Sequence, residues 1–250
     1  MRAIILAAGE GKRLRPYTDN VPKSLVKIGK FTMLEYQLEL FNKNQIKSTV
    51  VAGYLNDKIK SIHNDVLINE QYATTNMLFT LFKAKDLFNE DIIISYGDIT
   101  YTENTLTKLI SDKNEISITI DQNWKEYWSS RYKNPLKDLE TLVKKNNELI
   151  EIGNIPINYD KIQGQFMGLI KISKTSIQKF IDVYDDCKKL NEINNKDFKN
   201  AYTTDFLQEL INRSIKVNTI DIYDPWIEID SVDDYRNPET LKRLNIILNQ

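Results

Sequence analysis

The feature that most constrains this chain is an apolar run at its beginning that leads directly into a glycine loop. Residues 3–8 read Ala-Ile-Ile-Leu-Ala-Ala, and Gly9 and Gly11 follow. A short apolar run bounded by glycine is typical of a buried parallel strand. Glycines let the backbone approach a bound group and aim its N–H groups at it, and Lys12 and Arg13 add positive charge. The pattern predicts a strand and a loop that holds an anion such as a nucleoside phosphate.

The loop does not match the two best known phosphate-binding fingerprints. The dinucleotide fingerprint needs a third glycine after Gly11, and the Walker A loop needs Gly-Lys followed by Ser or Thr; neither occurs at this position. On the loop alone, a tight turn with solvent-facing cations is an equally good interpretation. The segment 22–25, Pro-Lys-Ser-Leu, and two later aspartates, Asp98 and Asp230, favour the anion-binding interpretation.

Apolar runs and helical patterns alternate over the first half of the chain, which is typical of a βαβ sheet. We predict strands over 3–8, 48–52, 65–68, 91–95 and 116–121, and helices over 33–42, 56–62, 77–88 and 105–111. Beyond these, the pattern predicts a hairpin at 140–145 and 148–153, strands at 165–173, 216–222 and 226–230, and helices at about 175–190, 203–213 and 232–248. We expect one continuous domain of two halves, 1–121 and 122–250.

The composition excludes several classes of protein. Of 250 residues, 41% are hydrophobic and 28% are charged, the formal net charge is −1, and Cys187 is the single cysteine. A nearly neutral chain lacks the basic surface of a general nucleic-acid-binding protein, and one cysteine excludes an internal disulfide. No apolar run approaches the roughly 18 residues of a transmembrane helix, and no signal peptide precedes the first strand. We expect a cytoplasmic protein without membrane or nucleic-acid partners.

Two short motifs and three later segments carry a family resemblance. Residues 6–14 read L-A-A-G-E-G-K-R-L and residues 22–25 read P-K-S-L. This combination is similar to the signature of nucleotidyltransferases that activate sugar phosphates and small phosphorylated compounds, in which Ser or Thr is usual at the position of Lys12. The segments 53–55, 128–136 and 228–235 resemble the small CTP-dependent branch that includes phosphocholine, aminoethylphosphonate and phosphoglutamine cytidylyltransferases.

The resemblance implies a fold and a reaction. The expected fold is α/β, with a mostly parallel, Rossmann-like sheet (GT-A-like) flanked by helices. Residues 1–121 would bind the nucleotide, and residues 122–250 would form a small α+β acceptor-binding lid followed by the C-terminal strand and helix. The expected reaction is the Mg²⁺-dependent transfer of CMP from CTP to a small phosphorylated or phosphonate metabolite, with release of pyrophosphate, for cell-surface or capsule precursors.

Asp98 and Asp230 are the expected metal ligands. Asp98 comes just after the predicted strand 91–95, and ligands gather at the carboxyl ends of strands in open α/β sheets. Carboxylates at such a point suit Mg²⁺, which prefers oxygen ligands and bridges to phosphates. A turn-forming role for Asp98 and a helix-capping role for Asp230 are the alternatives. The resemblance implies that both bind one Mg²⁺.

The cations are expected to hold phosphates. Arg13 and Lys12 would bind the β- and γ-phosphates, and Lys23 would reach the α-phosphate or the acceptor phosphate. The attacking oxygen is already anionic near neutral pH, so no general base is needed, and we expect His63 to be a surface residue. The expected catalytic residues are Arg13, Lys23, Asp98 and Asp230, and the expected nucleotide-binding residues are Leu6, Ala7, Ala8, Gly9, Gly11, Lys12, Gly53, Asn76 and Ser95.

The acceptor site is the least defined part of the prediction. The expected acceptor-binding residues are Trp128, Arg131, Gln165 and Tyr202. Arg131 suits a carboxylate or phosphate, which favours an acidic or zwitterionic acceptor; alternatively, it pairs with Asp138 or Glu140 on the surface. Aromatic residues of this half could instead form a pocket for a quaternary ammonium group.

Three functions remain open at this stage. The preferred function is the cytidylyltransferase. A sugar-1-phosphate nucleotidylyltransferase that uses UTP or dTTP is the first alternative, and a regulatory protein that binds nucleotide without turnover is the second. The expected partners are CTP and a small phosphorylated substrate, and a homodimer is one option for assembly.

Overall fold

The N-terminal apolar run forms a strand near the middle of a large sheet. The structure is a computed structural model that describes residues 1–194 and 196–249. In chain order, the strands of these residues are β1 (Arg2–Ala7), β2 (Lys27–Ile28), β3 (Phe31–Thr32), β4 (Lys47–Ala52), β5 (Val66–Ile68), β6 (Ile92–Tyr96), β7 (Ile99–Tyr101), β8 (Ile116–Asp121), β9 (Leu142–Lys145), β10 (Glu148–Ile152), β11 (Gln165–Ile172), β12 (Glu192–Ile193), β13 (Lys196–Asp197), β14 (Asn218–Ile222) and β15 (Trp226–Glu228).

Within the described residues, nine strands form one mixed sheet in the order β5-β4-β1-β6-β11-β8-β14-β10-β9. β1 lies parallel to both β4 and β6, and β5 is parallel to β4. β11 runs antiparallel to β6 and β8, whereas β14 is parallel to β8. Because β5, β4, β1 and β6 point the same way, their carboxyl ends share one edge of the sheet, where α/β proteins bind ligands.

Helices cover the sheet because its central strands carry apolar side chains on both faces. Ile5 packs into one buried cluster and Ile4 into the other.

Thr32 caps the first helix: its hydroxyl accepts from the Glu35 N–H, and the Glu35 carboxylate accepts from the Thr32 N–H. The helices are α1 (Met33–Lys43), α2 (Asn56–Lys60), α3 (Met77–Phe82), α4 (Glu103–Ser111), α5 (Trp124–Arg131), α6 (Ile177–Leu190), α7 (Thr203–Asn212), α8 (Val232–Arg236) and α9 (Pro238–Leu248).

The two halves of the chain interleave in the sheet. β11, from the second half, lies between β6 and β8 of the first half. Both buried clusters contain residues from each half. The division at residue 121 therefore stays a prediction about the roles of the two halves, and their strands alternate in space.

The α/β class is confirmed, but several short strands were not predicted, among them β2, β3 and β7, and the helices differ from the predictions in three places. The predicted helix 77–88 ends at Phe82 and is followed by a short 3-10 turn. The predicted helix 232–248 is divided into α8 and α9 because Pro238 has no N–H to continue a helix. Helix α5 is absent from the predictions, although Trp124, Tyr127 and Trp128 have the i, i+3, i+4 spacing of a buried face.

A two-stranded ribbon outside the main sheet matters most for the site. β7 pairs antiparallel with β15, and Ile99 lies opposite Glu228. The ribbon joins the chain that leaves β6 to the segment that precedes α8. Among residues 1–194 and 196–249, we find no helix long and apolar enough to cross a membrane.

Candidate active site

The loop after β1 has a conformation that requires glycine. Gly11 has a φ of 68°, in the left-handed region, and a Cβ there would lie 3.0 Å from the Cβ of Lys23. The Thr18 hydroxyl donates to the Gly11 carbonyl at 2.8 Å. Residues Lys12–Leu14 then form a 3-10 turn. The loop is thereby held against Lys23, so that the cationic turn faces the carboxyl end of the sheet.

Lys23, Asp98 and Asp230 meet where β6 ends. Asp98 follows β6 and Asp230 follows β15, and the pairing of Ile99 with Glu228 places the two aspartates side by side. The Nζ of Lys23 lies 2.5 Å from Oδ2 of Asp98 and also contacts Oδ1 of Asp230. The structure thus brings together three residues that the sequence separates widely.

The charges at this junction stabilise one another. Burial alone would lower the pKa of Lys23, but the attraction of Asp98 and Asp230 outweighs it and raises that pKa. Burial would raise the pKa of Asp230, but Lys23 outweighs it and lowers that pKa. Arg13 adds a second cation, with its Nη2 3.3 Å from Oδ1 of Asp230. Lys23 and Asp230 are therefore both charged near neutral pH.

The two aspartates suit a divalent cation whose remaining ligands come from other molecules. Asp98 Oδ1 is buried and has no hydrogen-bond partner, which leaves an oxygen lone pair available. No cluster of three or more His, Cys, Asp or Glu side chains in the described part of the chain could hold a metal alone. Mg²⁺ commonly takes one or two carboxylates and completes its shell with phosphates and water. The donor set suits such an ion.

A first cavity of about 430 Å³ extends from the junction along the glycine loop. It contains most of the expected nucleotide-binding residues. Asn76, for which helix capping was the alternative, has both roles: its side chain accepts from the Met77 N–H and the residue also lines this cavity. The expected residues on its wall are Leu6, Ala7, Ala8, Gly9, Gly11, Lys12, Arg13, Lys23, Asn76, Asp98 and Asp230.

Two expected nucleotide-binding residues do not line this cavity. Ser95 is fully buried, and its hydroxyl donates to Oε1 of Gln37 at 2.7 Å on the side of α1. The prediction for Ser95 is therefore wrong, because the alternation of β6 turns its side chain into the core. Gly53 lies beneath Tyr72, whose Cβ would be 2.6 Å from a Cβ at Gly53. The cavity wall at this point is Tyr72.

A second cavity of about 330 Å³ adjoins the first. Three of the four residues predicted to bind the acceptor, Trp128, Gln165 and Tyr202, line it. Gln165 also positions a neighbour, because its Nε2 donates to the Glu140 carbonyl at 2.8 Å. The residues common to both cavities are Arg13, Met77, Asp98, Tyr202 and Asp230. A molecule in either cavity therefore reaches the same two aspartates.

The second cavity is strongly acidic. Asp138, Glu140 and Glu228 line it together with Asp98 and Asp230, and Arg13 is the cation on its wall. Burial, and then repulsion by Asp205, raises the pKa of Glu140 to about 7. Burial, and then repulsion by Asp230, raises the pKa of Glu228 to about 8. Both shifts come first from burial, and repulsion between neighbouring carboxylates adds to them.

Arg131 does not line either cavity. Its side chain is 0% exposed; Nε donates to Asp234 Oδ1 at 2.8 Å and Nη1 donates to Glu228 Oε2 at 3.2 Å. The guanidinium also stacks over Tyr127 at 5.1 Å. The prediction that Arg131 binds the acceptor is wrong in this structure, and so is its alternative pairing with Asp138 or Glu140, because helix α5 turns the side chain inward.

Several cavity residues are missing from the sequence predictions. Glu228 stands in the same segment as Asp230, and the alternation of a short strand was the signal that could have found it. The loop between β5 and α3 contributes several more, but loops have no periodicity that aims side chains. The unpredicted residues are Glu10, Ser24, Tyr72, Ala73, Thr75, Met77, Thr80 and Gly97 in the first cavity and Tyr96, Asp138, Glu140, Thr141, Leu142, Ile152, Phe166, Thr204 and Glu228 in the second.

His63 lies at the surface, and two of the aromatic residues of the second half lie in the core. His63 is partly exposed, and its Nε2 lies 2.9 Å from the Ser48 carbonyl, away from both cavities. Tyr127 and Trp226 are buried in the core. They support α5 and β15 and do not form an aromatic pocket.

Comparison with known proteins identifies the family. The model of the family described as nucleotidyl transferase matches residues 2–127. The chain belongs to this family. This nucleotidyltransferase is 39% identical over 246 residues to CTP:phosphoglutamine cytidylyltransferase of Campylobacter jejuni, which covers 94% of this chain and 97% of that protein. It is 32% identical over 116 residues to choline-phosphate cytidylyltransferase of Streptococcus pneumoniae, which covers 43% and 51%.

Solved structures show that the nucleotidyltransferase has the expected fold. The inositol-1-phosphate CTP transferase of T. maritima superposes with a TM-score of 0.74 at 19% identity, over 98% of this chain and 95% of that one. The CTP:phosphocholine cytidylyltransferase of Streptococcus pneumoniae superposes with a TM-score of 0.73 at 22% identity, over 96% and 98%. The resemblance stated from the motifs and the expected class of enzyme are confirmed.

Proposed function

We propose that this nucleotidyltransferase is a cytidylyltransferase that transfers CMP from CTP to a small phosphorylated or phosphonate metabolite and releases pyrophosphate. The observation that carries the proposal is the junction of the two cavities at Lys23, Asp98 and Asp230. A nucleotide in one cavity and an acceptor in the other would meet at this point. The choice of CTP is supported by the relatives of Campylobacter jejuni and Streptococcus pneumoniae.

The glycine loop and its cations would hold the triphosphate. Arg13 lies beside Asp230 at the junction, and Lys12 is 77% exposed at the rim. We assign the β- and γ-phosphates to these two cations and the α-phosphate to Lys23. An acceptor oxygen bonds to the α-phosphorus while the bond to pyrophosphate breaks, and no proton has to move. Catalysis then consists of positioning and charge stabilisation.

We assign the binding of Mg²⁺ to Asp98 and Asp230. When bound, this ion would neutralise charge on the α-phosphate as the two anionic substrates approach each other. Asp98 is the stronger ligand candidate because its Oδ1 has no partner. Asp230 is held in place by its own segment, since its N–H donates to Asp234 Oδ2 at 3.2 Å.

The acidic second cavity favours an acceptor with a cationic nitrogen. Glu140 attracts an ammonium group when its carboxylate is ionised, and Trp128 and Phe166 offer aromatic faces on the same cavity wall. Phosphocholine, aminoethylphosphonate and phosphoglutamine all carry such a nitrogen, whereas a sugar 1-phosphate does not. We therefore place this enzyme with acceptors of that type, and its CDP-linked product with cell-surface or capsule precursors.

A substrate panel tests the proposal. The protein is incubated with Mg²⁺ and each nucleoside triphosphate against phosphocholine, phosphoethanolamine, aminoethylphosphonate, phosphoglutamine and sugar 1-phosphates, and pyrophosphate release is followed. We expect release with CTP and an acceptor that carries a cationic nitrogen. Turnover with UTP or dTTP and a sugar 1-phosphate alone would replace the proposal with the first alternative. Nucleotide binding without turnover on any acceptor would favour the regulatory protein.

A further inference from the structure

Lys23 contacts the same carboxylates that the proposed metal needs. Its ammonium lies 2.5 Å from Asp98 Oδ2 and also contacts Asp230 Oδ1. The side chains of Lys23, Asp98 and Asp230 are only 14%, 13% and 20% exposed. Water therefore does little to screen the charges at this junction.

An ammonium and a divalent cation cannot share these oxygens. Mg²⁺ sits at about 2.0–2.1 Å from its ligands, and a second cation in contact with the same oxygen atoms would be strongly repelled. Asp98 Oδ1 has no hydrogen-bond partner, and Asp230 Oδ2 lies 4.0 Å from Arg131 Nη2, beyond hydrogen-bond distance. Lys23 therefore competes with a divalent ion for Asp98 Oδ2 and Asp230 Oδ1, and its charge repels an ion placed between the two carboxylates.

The balance of charge indicates when Lys23 can leave. Lys23 and Arg13 offset the charges of Asp98 and Asp230. A divalent cation alone would add positive charge and offer Lys23 no new partner. A triphosphate in the first cavity would supply negative charge beside Lys23, which lines that cavity. Exchange of partners is then favourable only when the anion is present.

We propose that Lys23 is a displaceable internal cation that keeps Asp98 and Asp230 from a divalent metal until a nucleoside triphosphate binds and attracts its ammonium. The proposal rests on the proposed function for the presence of a triphosphate in the first cavity. In the free enzyme, Lys23 holds the two aspartates together and prevents their repulsion. In the nucleotide complex, the same ammonium contacts phosphate oxygens.

The test measures Mn²⁺ binding to the full-length protein without nucleotide, from the electron paramagnetic resonance signal of the free ion. Lys23→Met removes the competing cation, so we expect it to bind Mn²⁺ about tenfold or more tightly than the unmodified protein. Lys23→Gln, which removes the positive charge but keeps a polar N–H donor, should also gain affinity and covers the case that Lys23→Met fails to fold. Lys27→Met is the matched control, because it removes an exposed lysine outside both cavities.

Each outcome decides the proposal. The gain should disappear in the double variant Lys23→Met/Asp98→Asn, and Lys27→Met should leave Mn²⁺ binding unchanged. Equal Mn²⁺ affinity of the unmodified protein, Lys23→Met and Lys23→Gln would overturn the proposal, as would a gain that persists without Asp98. The proposed function fails separately: CTP turnover can be absent while Lys23 still competes with Mn²⁺, or present while it does not.

Discussion

The proposed metal site depends on two carboxylates, those of Asp98 and Asp230. They meet at Lys23 and border both cavities. Asp98 lies in a turn, which is the structural role that the sequence offered as its alternative, whereas Asp230 precedes helix α8 without capping it. Ser231, and not Asp230, is the residue that caps α8, because its hydroxyl accepts from Asp234 N–H. Asp230 is thereby left available for the junction.

Replacement of either aspartate by asparagine tests this view. We expect Asp98→Asn and Asp230→Asn each to lower kcat by about 10²–10³, because each removes charge from the site of phosphoryl transfer. The folded state should persist, as judged by circular dichroism. Asp57→Asn is the control, since Asp57 is 94% exposed and far from the junction in the sequence. A near-normal rate in either variant would remove that residue from the proposed metal site.

Glu140 gives the reaction a predicted pH dependence. Burial raises the pKa of Glu140 to about 7, so its carboxylate gains its charge as the pH rises through neutrality. An ammonium-bearing acceptor should bind better above that pH, and its KM should fall. We expect Glu140→Gln to lose this part of the pH profile while the titration of the acceptor phosphate stays the same in both enzymes. A KM profile that is identical in the two proteins would place the acceptor nitrogen elsewhere.

At the scale of elements, the β7–β15 ribbon and helix α5 build the acidic side of the site. The Tyr127 hydroxyl lies 3.2 Å from both the carbonyl and the N–H of Glu228, which fixes β15 to α5. Arg131 then joins α5 to β15 and α8 through Glu228 and Asp234. β15 lies within the predicted strand 226–230, but β7 was not predicted because its three residues are too few to show a periodic pattern.

Arg131→Ala tests whether this connection stabilises the fold. Removal of one partner from a buried ion pair leaves the other unpaired, so we expect the free energy of unfolding to fall by about 3–5 kcal/mol. Denaturant titration followed by circular dichroism measures it. Lys133→Ala, which removes an exposed cation just beyond α5, should change stability by less than about 0.5 kcal/mol. Equal stability of Arg131→Ala and Lys133→Ala would show that the buried pairs contribute little.

At the scale of the whole molecule, the interleaved sheet makes the two halves one structural unit. β11 pairs with β6 on one side and β8 on the other. Removal of the second half would leave both of these strands without that partner. The two halves are therefore held together through paired strands, which suits the proposed reaction because that reaction depends on positioning.

Denaturant unfolding tests whether the two halves unfold as one unit. The tryptophans are Trp124, Trp128 and Trp226, all in the second half, so their fluorescence reports that half, whereas far-ultraviolet circular dichroism reports the whole chain. We expect both signals to change at the same denaturant concentration in a single transition. Two separated transitions would instead show that residues 1–121 and 122–250 unfold independently.

The residues that line the first cavity could largely be predicted from local sequence. The apolar run of β1, the glycine loop and the Pro-Lys-Ser-Leu segment each express their role within a few residues. Gly11 is an example, because its left-handed φ and its close approach to Lys23 both require a residue without a side chain. Ser95 is the counterexample: its place at the end of a strand was clear, but the direction of its side chain was not.

The sequence by itself determined the α/β class, the glycine loop and the two aspartates at strand ends, because these depend on apolar periodicity and on short motifs. Only the tertiary structure decided that Arg131 is enclosed, that Glu140 and Glu228 line the second cavity, and that Lys23 joins Asp98 to Asp230. These facts follow from strand pairing and helix packing between distant segments. No local pattern contains them, because the direction of a side chain depends on the neighbours against which its element packs.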